Sequence, residues 1–303
     1  MKTSCLRSIA PLLLAALLSA CGDAAQDAEA PFAFADLGAP VTVAEGFGFV
    51  EGPTWSRDEG LLYFTDLAAS RVHRLTRLGA VEIVEVDVGQ ANGLAFDLEG
   101  RFLLTDQANR RLVRREEGGA LTILADRYDG LILNSPNDIA VRSDGTIYFT
   151  DPDFGFSVPE LGVEGIYRLA PWGELLLESQ DDGAPNGIVL SPDELTLYVA
   201  STFGGHVDAY DVAADGALSN RRVFGEALIA DGMCIDAHGT LFVASAPGLK
   251  VFSPDGAELG TVELPRAPSN CGFGGTDGKT IYVTAGDMVH AIAAPVRGNG
   301  FPP

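Results

Sequence analysis

The feature that most constrains the fold is a unit of two short strands that recurs six times along the chain. Each copy opens on a polar residue, continues as an apolar-rich strand, turns at a loop rich in Asp or Gly and ends in a second strand. The copies begin at Glu51, Asn92, Asn137, Asn186, Asp231 and Asn270. A spacing of about 40–50 residues with several short strands per repeat is typical of a β-propeller. The sequence therefore predicts an all-β, six-bladed propeller.

The polar residue that opens each copy is predicted to lie on an innermost strand and to face a central channel. Glycine follows it in four copies, at Gly52, Gly93, Gly187 and Gly232. Crowding near the propeller axis requires such small residues, because only glycine lets backbones approach closely. The ring of acids and amides is suited to holding a cation through oxygen atoms. The alternative is that these side chains hold water and tie the blades together.

The predicted ring supplies the ligand types that a hard divalent cation takes. Glu51 and Asp231 contribute carboxylates, Asn137 and Asn186 contribute amide oxygens, and Asn92 or Asn270 is a further amide candidate. Ca²⁺ prefers oxygen ligands of this kind. No Cys or His opens a copy, which disfavours zinc, copper and non-haem iron. The sequence predicts a central metal site, most simply for Ca²⁺.

The N-terminal region predicts export and lipid anchoring. Lys2 and Arg7 precede an apolar stretch at residues 9–18 that is too short to span a bilayer as a mature helix. Leu18-Ser19-Ala20-Cys21 is similar to a bacterial lipobox, which implies cleavage after residue 20, lipidation of Cys21 and a place on the periplasmic side of a membrane. The alternative is an ordinary secreted protein cut near the same point.

The remaining chain is predicted to hold one folded domain. We expect a signal peptide over residues 1–20, an acidic flexible tether over 21–35, the propeller over 36–296 and a loose tail over 297–303. The formal net charge of -22 argues against nucleic acid and anionic lipid as partners. The predicted contact with a membrane is therefore the lipid on Cys21.

Two further expectations concern the ends of the ring and its cysteines. In propellers one strand from the N-terminus often completes the last blade, so Val41–Val43 is predicted to lie beside a strand near Met288–Ile292. Cys234 and Cys271 fall just after the polar starts of adjacent copies. We expect two buried free thiols, because neighbouring inner strands are expected to hold their Cα atoms too far apart; a disulfide is the alternative.

Several sequence motifs together resemble one protein family. They are Phe49–Trp55, Leu61–Asp66, Ala91–Leu94, Ala125–Tyr128, Asn134–Asp138, Asn186-Gly187 and Asp231–Cys234. In this order and spacing, the chain resembles the SMP-30/gluconolactonase/luciferin-regenerating-enzyme-like family, and within it the bacterial gluconolactonases. The resemblance implies a six-bladed propeller with one divalent ion, usually Ca²⁺, with Zn²⁺, Mn²⁺ and Mg²⁺ as alternatives. The implied ligands are Glu51, Asn137, Asn186 and Asp231.

One departure from the family pattern concerns a candidate substrate contact. Gluconolactonase-like sequences often carry Cys-Glu-His-Gly-Asn-Arg-Arg where this chain has Thr105–Arg111. The histidine is replaced by Gln107, an amide that forms hydrogen bonds but cannot carry a proton at neutral pH. Any acid–base role of that histidine is therefore in doubt for this chain.

The resemblance implies hydrolysis of a sugar-type lactone such as gluconolactone. The expected catalytic carboxylates are Asp231 and, as second choice, Glu51, with the ion polarising the carbonyl group. The expected substrate-binding amides are Asn92, Gln107, Asn137 and Asn270. The alternatives are a metal-dependent phosphotriesterase-like hydrolase and a non-catalytic ligand-binding propeller.

Overall fold

Six four-stranded antiparallel sheets form the structure of this chain. The computed structural model describes residues 32–84, 87–154, 158–181 and 183–301. The predicted signal peptide, Cys21 and most of the predicted tether lie outside these residues. Within the described ranges, no helix has the length and apolar character that crossing a membrane requires.

The first elements are a 3₁₀ helix, a strand that joins the last sheet, and the strands of blades one to three. The 3₁₀ helix is Phe34–Asp36 and β1 is Val41–Glu45. Blade one contains β2 (Val50–Ser56), β3 (Leu61–Asp66), β4 (Arg71–Leu75) and β5 (Val81–Val84). Blade two contains β6 (Ala91–Phe96), β7 (Phe102–Asp106), β8 (Arg111–Arg115) and β9 (Leu121–Ala125). A small hairpin of β10 (Arg127–Tyr128) and β11 (Leu131–Ile132) follows. Blade three contains β12 (Ile139–Val141), β13 (Ile147–Asp151), β14 (Gly165–Leu169) and β15 (Leu175–Gln180).

The second half of the chain repeats the pattern. Blade four contains β16 (Pro185–Leu190), β17 (Thr196–Ser201), β18 (His206–Val212) and β19 (Leu218–Glu226). Blade five contains β20 (Met233–Ile235), β21 (Leu241–Ala244), β22 (Gly248–Phe252) and β23 (Glu258–Glu263). Blade six contains β24 (Pro268–Gly274), β25 (Thr280–Ala285) and β26 (Met288–Ala293), and β1 is its fourth strand.

The ring closes through the pairing of β1 with β26. The two strands are antiparallel, with Val41 opposite Ala291 and Thr42 opposite His290. Blade six is therefore built from both ends of the described chain, which joins the first blade to the last. The predicted closing strand and its neighbour are confirmed.

The innermost strands converge on a common axis. Each contacts the inner strand of the next blade, from β2 through β6, β12, β16, β20 and β24 and back to β2. A Cβ atom added at Gly93 would lie 2.5 Å from the Asn137 carbonyl oxygen, and one at Gly187 would lie 2.4 Å from the Asp231 carbonyl oxygen. Both contacts are closer than real Cβ atoms show. The crowding that the sequence predicted near the axis is present.

The apolar core lies between blades rather than in one central mass. Six clusters of buried side chains each join two neighbouring blades. Successive residues of one strand enter different clusters: Tyr148 packs between blades three and four, and Phe149 packs between blades two and three. Burial on both faces explains why the second strands are nearly continuous apolar runs.

The expectation of free thiols is wrong. Cys234 and Cys271 form a disulfide with their Cα atoms 5.5 Å apart. This Cα separation is within the range that a disulfide spans. The expectation failed because it underestimated how closely inner strands β20 and β24 approach near the axis.

Aromatic residues near both ends of the described chain pack against the propeller. Phe32, which we placed in the flexible tether, packs edge-on against Phe242 with ring centroids 5.8 Å apart. Phe301, which we placed in the loose tail, joins the same inter-blade cluster, and the Asn299 amide donates to the Ile235 carbonyl at 3.1 Å. The gain from burying aromatic rings accounts for both contacts.

Candidate metal and substrate site

The six polar residues that open the repeats lie at the starts of the inner strands. Glu51, Asn92, Asn186 and Asn270 fall within them, and Asn137 and Asp231 each lie two residues before one. Asp231 keeps some accessible surface, whereas the other five are buried. The fold therefore brings all six predicted positions to the axis.

Three carboxyl groups with raised pKa values lie close together at the axis. Burial, and next the charge of Asp231, raise the pKa of Glu51 well above its ordinary value. Burial raises the pKa of Asp231 to about 7, and the charge of Asp138 adds to that effect. Burial also raises the pKa of Asp138 to about 6. Backbone amides and asparagine side chains are the groups that lower these values, and among the described residues no Lys or Arg contributes. Such a group of acids requires protons or a cation.

Asp138 is a member of this group that sequence reasoning missed. Its carboxylate accepts hydrogen bonds from the Ile139 amide at 2.9 Å and the Ile188 amide at 3.4 Å. The side chain lines a cavity of about 210 Å³ together with Asn270 and the two bonded cysteines. The signal was present in the sequence, because Asp138 follows directly after Asn137 in the central repeat.

Two of the amides are held by specific partners. The Asn186 amide nitrogen Nδ2 donates to the Thr202 hydroxyl at 3.1 Å, and the same side chain contributes to lowering the pKa of Asp231. The Asn270 oxygen Oδ1 accepts from the Cys271 main-chain amide at 2.8 Å, and its side chain contributes to lowering the pKa of both Glu51 and Asp138. Asn270 therefore acts on two acids of the group.

Two other amides have polar atoms without a partner. Gln107 is 1% exposed, and neither its side-chain oxygen nor its nitrogen forms a hydrogen bond with the described part of the protein. The Asn92 oxygen Oδ1 is likewise buried and unpaired. The main-chain amide of Gln107 donates to the Gln90 carbonyl at 3.3 Å, which ties its turn to the segment before Asn92. Buried polar groups of this kind normally bind water or a ligand.

The turn that carries Gln107 is fixed by its neighbours. Asp106 accepts from the Gly89 amide at 2.9 Å and pairs with Arg111 at 2.8 Å within blade two. Arg110 donates to the Leu133 and Asn134 carbonyls at the entry to blade three. Arg110 therefore connects two blades, whereas Arg111 pairs with a residue of its own blade.

A repeated Thr-Asp pair is a second signal that the sequence contained. It ends the second strand of blades one to three, as Thr65-Asp66, Thr105-Asp106 and Thr150-Asp151. Each aspartate accepts a hydrogen bond from a main-chain amide in the loop that leads into the inner strand of its own blade. The donors are Gly48 at 3.0 Å, Gly89 at 2.9 Å and Asn134 at 2.8 Å. These pairs anchor the segments that end in the channel residues.

The donor set at the axis fits a hard divalent cation. Across the described ranges, no group of three or more His, Cys, Asp and Glu side chains is placed to hold a metal ion. A cation here would therefore depend on amide oxygens as well as on Glu51 and Asp231. Carboxylates without a neutralising base, beside amides, match the ligand preference of Ca²⁺.

Comparison with known proteins gives a consistent assignment. Residues 49–287 match the model of the SMP-30/Gluconolactonase/LRE-like region. The gluconolactonase of Zymomonas mobilis is 30% identical over 301 residues, covering 88% of this chain and 84% of the relative. The regucalcin of Xenopus laevis is 30% identical over 257 residues, covering 80% of this chain and 85% of the relative.

A solved structure extends the match to three dimensions. The gluconolactonase of Xanthomonas campestris superposes with a TM-score of 0.79 at 34% identity. The alignment covers 84% of this chain and 89% of that one. The overall fold described above is therefore shared with an experimentally determined structure.

The raised pKa values predict how the metal-free protein responds to pH. A carboxyl group whose pKa is higher in the folded than in the unfolded state stabilises the fold at low pH and loses that contribution as pH rises through the folded pKa. In the presence of chelator, Asp138 should make the wild type lose on the order of 1 kcal/mol of its free energy of unfolding between pH 5 and pH 8. The Asp138→Asn variant should lack this part of the loss. Urea unfolding at four pH values measures the free energy of unfolding of both proteins.

The matched control is Asp144→Asn. Asp144 lies in an exposed turn, and hydrogen bonds from Thr146 contribute to lowering its pKa. It is ionised in both states above pH 5, so its replacement should leave the pH dependence unchanged. Equal pH dependence in the wild type and Asp138→Asn would contradict the account of the buried acids.

Proposed function

The chain belongs to the SMP-30/gluconolactonase/LRE-like family, and from that premise we propose that it is a lactonase dependent on a divalent cation. The observation that carries the proposal is the group of buried carboxylates at the channel, which lacks a neutralising base among the described residues. The gluconolactonases among its relatives support a small lactone as substrate. A sugar-type lactone such as gluconolactone is the substrate we propose.

The proposed ligands are Glu51, Asn137, Asn186 and Asp231, and Ca²⁺ is the proposed ion. All four residues lie at the starts of inner strands, and their oxygen atoms are of the type that Ca²⁺ prefers. When bound, such a cation supplies Lewis-acid polarisation of a carbonyl group and stabilises negative charge on its oxygen.

The protein's own carboxylates perform the proton transfers of the proposed reaction. Asp231 accepts a proton from the water that attacks the lactone carbonyl carbon. The bond between that carbon and the ring oxygen then breaks. The proton returns to the ring oxygen, and the product is an open-chain hydroxy acid.

The unpaired amides are proposed to bind the substrate. Gln107 offers a donor and an acceptor, and Asn92 offers an acceptor, to groups such as sugar hydroxyls. Asn137 would serve chiefly as a ligand of the ion. Asn270 accepts a hydrogen bond from Cys271 and contributes to lowering the pKa of Glu51 and Asp138, so its proposed role is to position the acids.

The protein is also proposed to be an exported lipoprotein. The disulfide between Cys234 and Cys271 is of the kind that forms in oxidising compartments, which supports export. Cys21→Ser should move the full-length protein from the membrane fraction to the soluble fraction of its bacterial host. A variant that stays with membranes to the same extent as the wild type would argue against the lipid anchor.

Loss of either carboxylate ligand should abolish turnover. After chelation, the wild-type protein should hydrolyse glucono-1,5-lactone only when Ca²⁺ or another accepted divalent ion is added back. Asp231→Asn should lower kcat by about 100-fold or more, because it removes the proton acceptor. Glu51→Gln should act chiefly by weakening ion binding. Proton release corrected for spontaneous hydrolysis measures both.

Asp255→Asn is the control for a surface acid, since Asp255 lies in an exposed turn of blade five. It should keep wild-type turnover. Ion binding by the wild type without turnover of any lactone in a panel would reject the lactonase proposal. Hydrolysis of phosphotriesters in the same assay would then favour the related hydrolase.

Gln107→Met tests the proposed substrate contact, because methionine has a similar shape and lacks the amide. One hydrogen bond to a neutral hydroxyl is worth about 1 kcal/mol, so KM should rise by roughly 2–10-fold with little change in kcat. Steady-state kinetics at saturating ion measure the two constants separately. An unchanged KM would assign Gln107 to a structural role.

A further inference from the structure

Hydroxyl groups connect neighbouring blades next to the axis. Thr65 donates to the Asn92 carbonyl at 3.0 Å, Thr105 to the Asn137 carbonyl at 2.6 Å and Thr150 to the Asn186 carbonyl at 2.6 Å. In each pair the hydroxyl belongs to one blade and the channel residue opens the next blade. All three threonine side chains are fully buried.

For the remaining two candidate ligands, a hydroxyl group of the preceding blade bonds to the carbonyl of the residue directly before the ligand. Thr202 donates to the Ala230 carbonyl at 2.7 Å, directly before Asp231. Ser269 donates to the Val50 carbonyl at 2.8 Å, directly before Glu51. At the sixth junction, between blades five and six, the disulfide joins the two inner strands instead.

Thr202 differs from the other hydroxyls because its second hydrogen bond is to the side chain of a proposed ligand. It accepts from the Asn186 amide nitrogen Nδ2 at 3.1 Å while it donates to the Ala230 carbonyl. One hydroxyl therefore contacts both a ligand side chain of blade four and the main chain beside a ligand of blade five. Because Nδ2 is occupied by Thr202, the orientation of the amide is fixed and Oδ1 remains available as a ligand.

We propose that the inter-blade hydroxyls, and Thr202 above all, are positioning residues for the cation ligands. Thr202 sets which atom of Asn186 faces the ion and holds the main chain at Asp231. Thr105 and Thr150 hold the main chain of Asn137 and Asn186 in the same way. The inference rests on the proposed ligand set, but it concerns ion affinity and does not require that the protein hydrolyse a lactone.

Thr65 makes an internal control possible. It forms the same type of buried bond to a carbonyl in the next blade, but the residue it holds, Asn92, is not a proposed ligand. Valine has nearly the shape of threonine and neither donates nor accepts a hydrogen bond. Thr65→Val and Thr202→Val both lose a bond to a main-chain carbonyl of the next blade, and Thr202→Val loses in addition the bond from the Asn186 side chain. Of the two, only Thr202→Val should weaken ion binding.

The test measures the Kd of chelator-stripped protein for Ca²⁺ by isothermal titration calorimetry. Residues that orient metal ligands typically contribute 10–100-fold to affinity, so Thr202→Val should weaken binding by about 10-fold or more. Thr202→Ser keeps the hydroxyl and should restore affinity to within about twofold of the wild type. Thr65→Val should lower the Tm in the absence of the ion while leaving Kd within about twofold.

Thr150→Val provides a second measurement if Thr202→Val fails to fold, and it too should weaken Ca²⁺ binding. The inference would be overturned if Thr65→Val had the same Kd for Ca²⁺ as the folded Thr202→Val or Thr150→Val variant. It would also be overturned if Thr202→Ser did not restore the affinity for Ca²⁺. A wild-type protein that binds no divalent ion would overturn it together with the ligand set. Ion binding that depends on Thr202 without any lactone turnover would support the inference and reject the lactonase proposal.

Discussion

The convergence of six inner strands on one axis is the constraint on which the rest of the structure depends. At Gly93 and Gly187, directly after two of the channel residues, the strands meet so closely that a side chain has no room and glycine is required. The same closeness brings the carbonyl groups of one blade within reach of hydroxyls from another. It also lets Cys234 and Cys271 form a bond between two blades.

Convergence has an electrostatic cost, because it places Glu51, Asp138 and Asp231 close together with little access to water. Burial raises the pKa of all three; the charges of Asp231 and Asp138 further raise the pKa of Glu51, and the charge of Asp138 further raises the pKa of Asp231. At neutral pH with no cation bound, the negative charge of these acids is not balanced by a positive charge among the described residues. The propeller can hold such a group because its stability comes from apolar clusters between the blades, which lie outside the channel.

The repeat pattern predicted the blade number, the closing strand and the six channel positions, because each depends on periodicity and on polar residues that interrupt it. It did not predict the disulfide, since the distance between two inner strands is a property of the assembled ring. The packing of Phe32 and Phe301 was not predicted, because a few aromatic residues in polar or Gly/Pro-rich ends give no periodic signal. Asp138 and the Thr-Asp pairs were visible as residues, but their partners belong to segments distant in sequence. The ligand set and the ion remain predictions.

The most direct test of the account is a crystal of the chelator-stripped domain soaked with Mn²⁺, with anomalous diffraction used to locate the ion. Manganese is detectable in this way and accepts the same oxygen ligands as the proposed native ion. The account predicts one strong peak on the propeller axis within about 2–2.6 Å of oxygen atoms from Glu51, Asn137, Asn186 and Asp231. A peak held by other residues, or none at the axis while the four side chains are ordered, would contradict it.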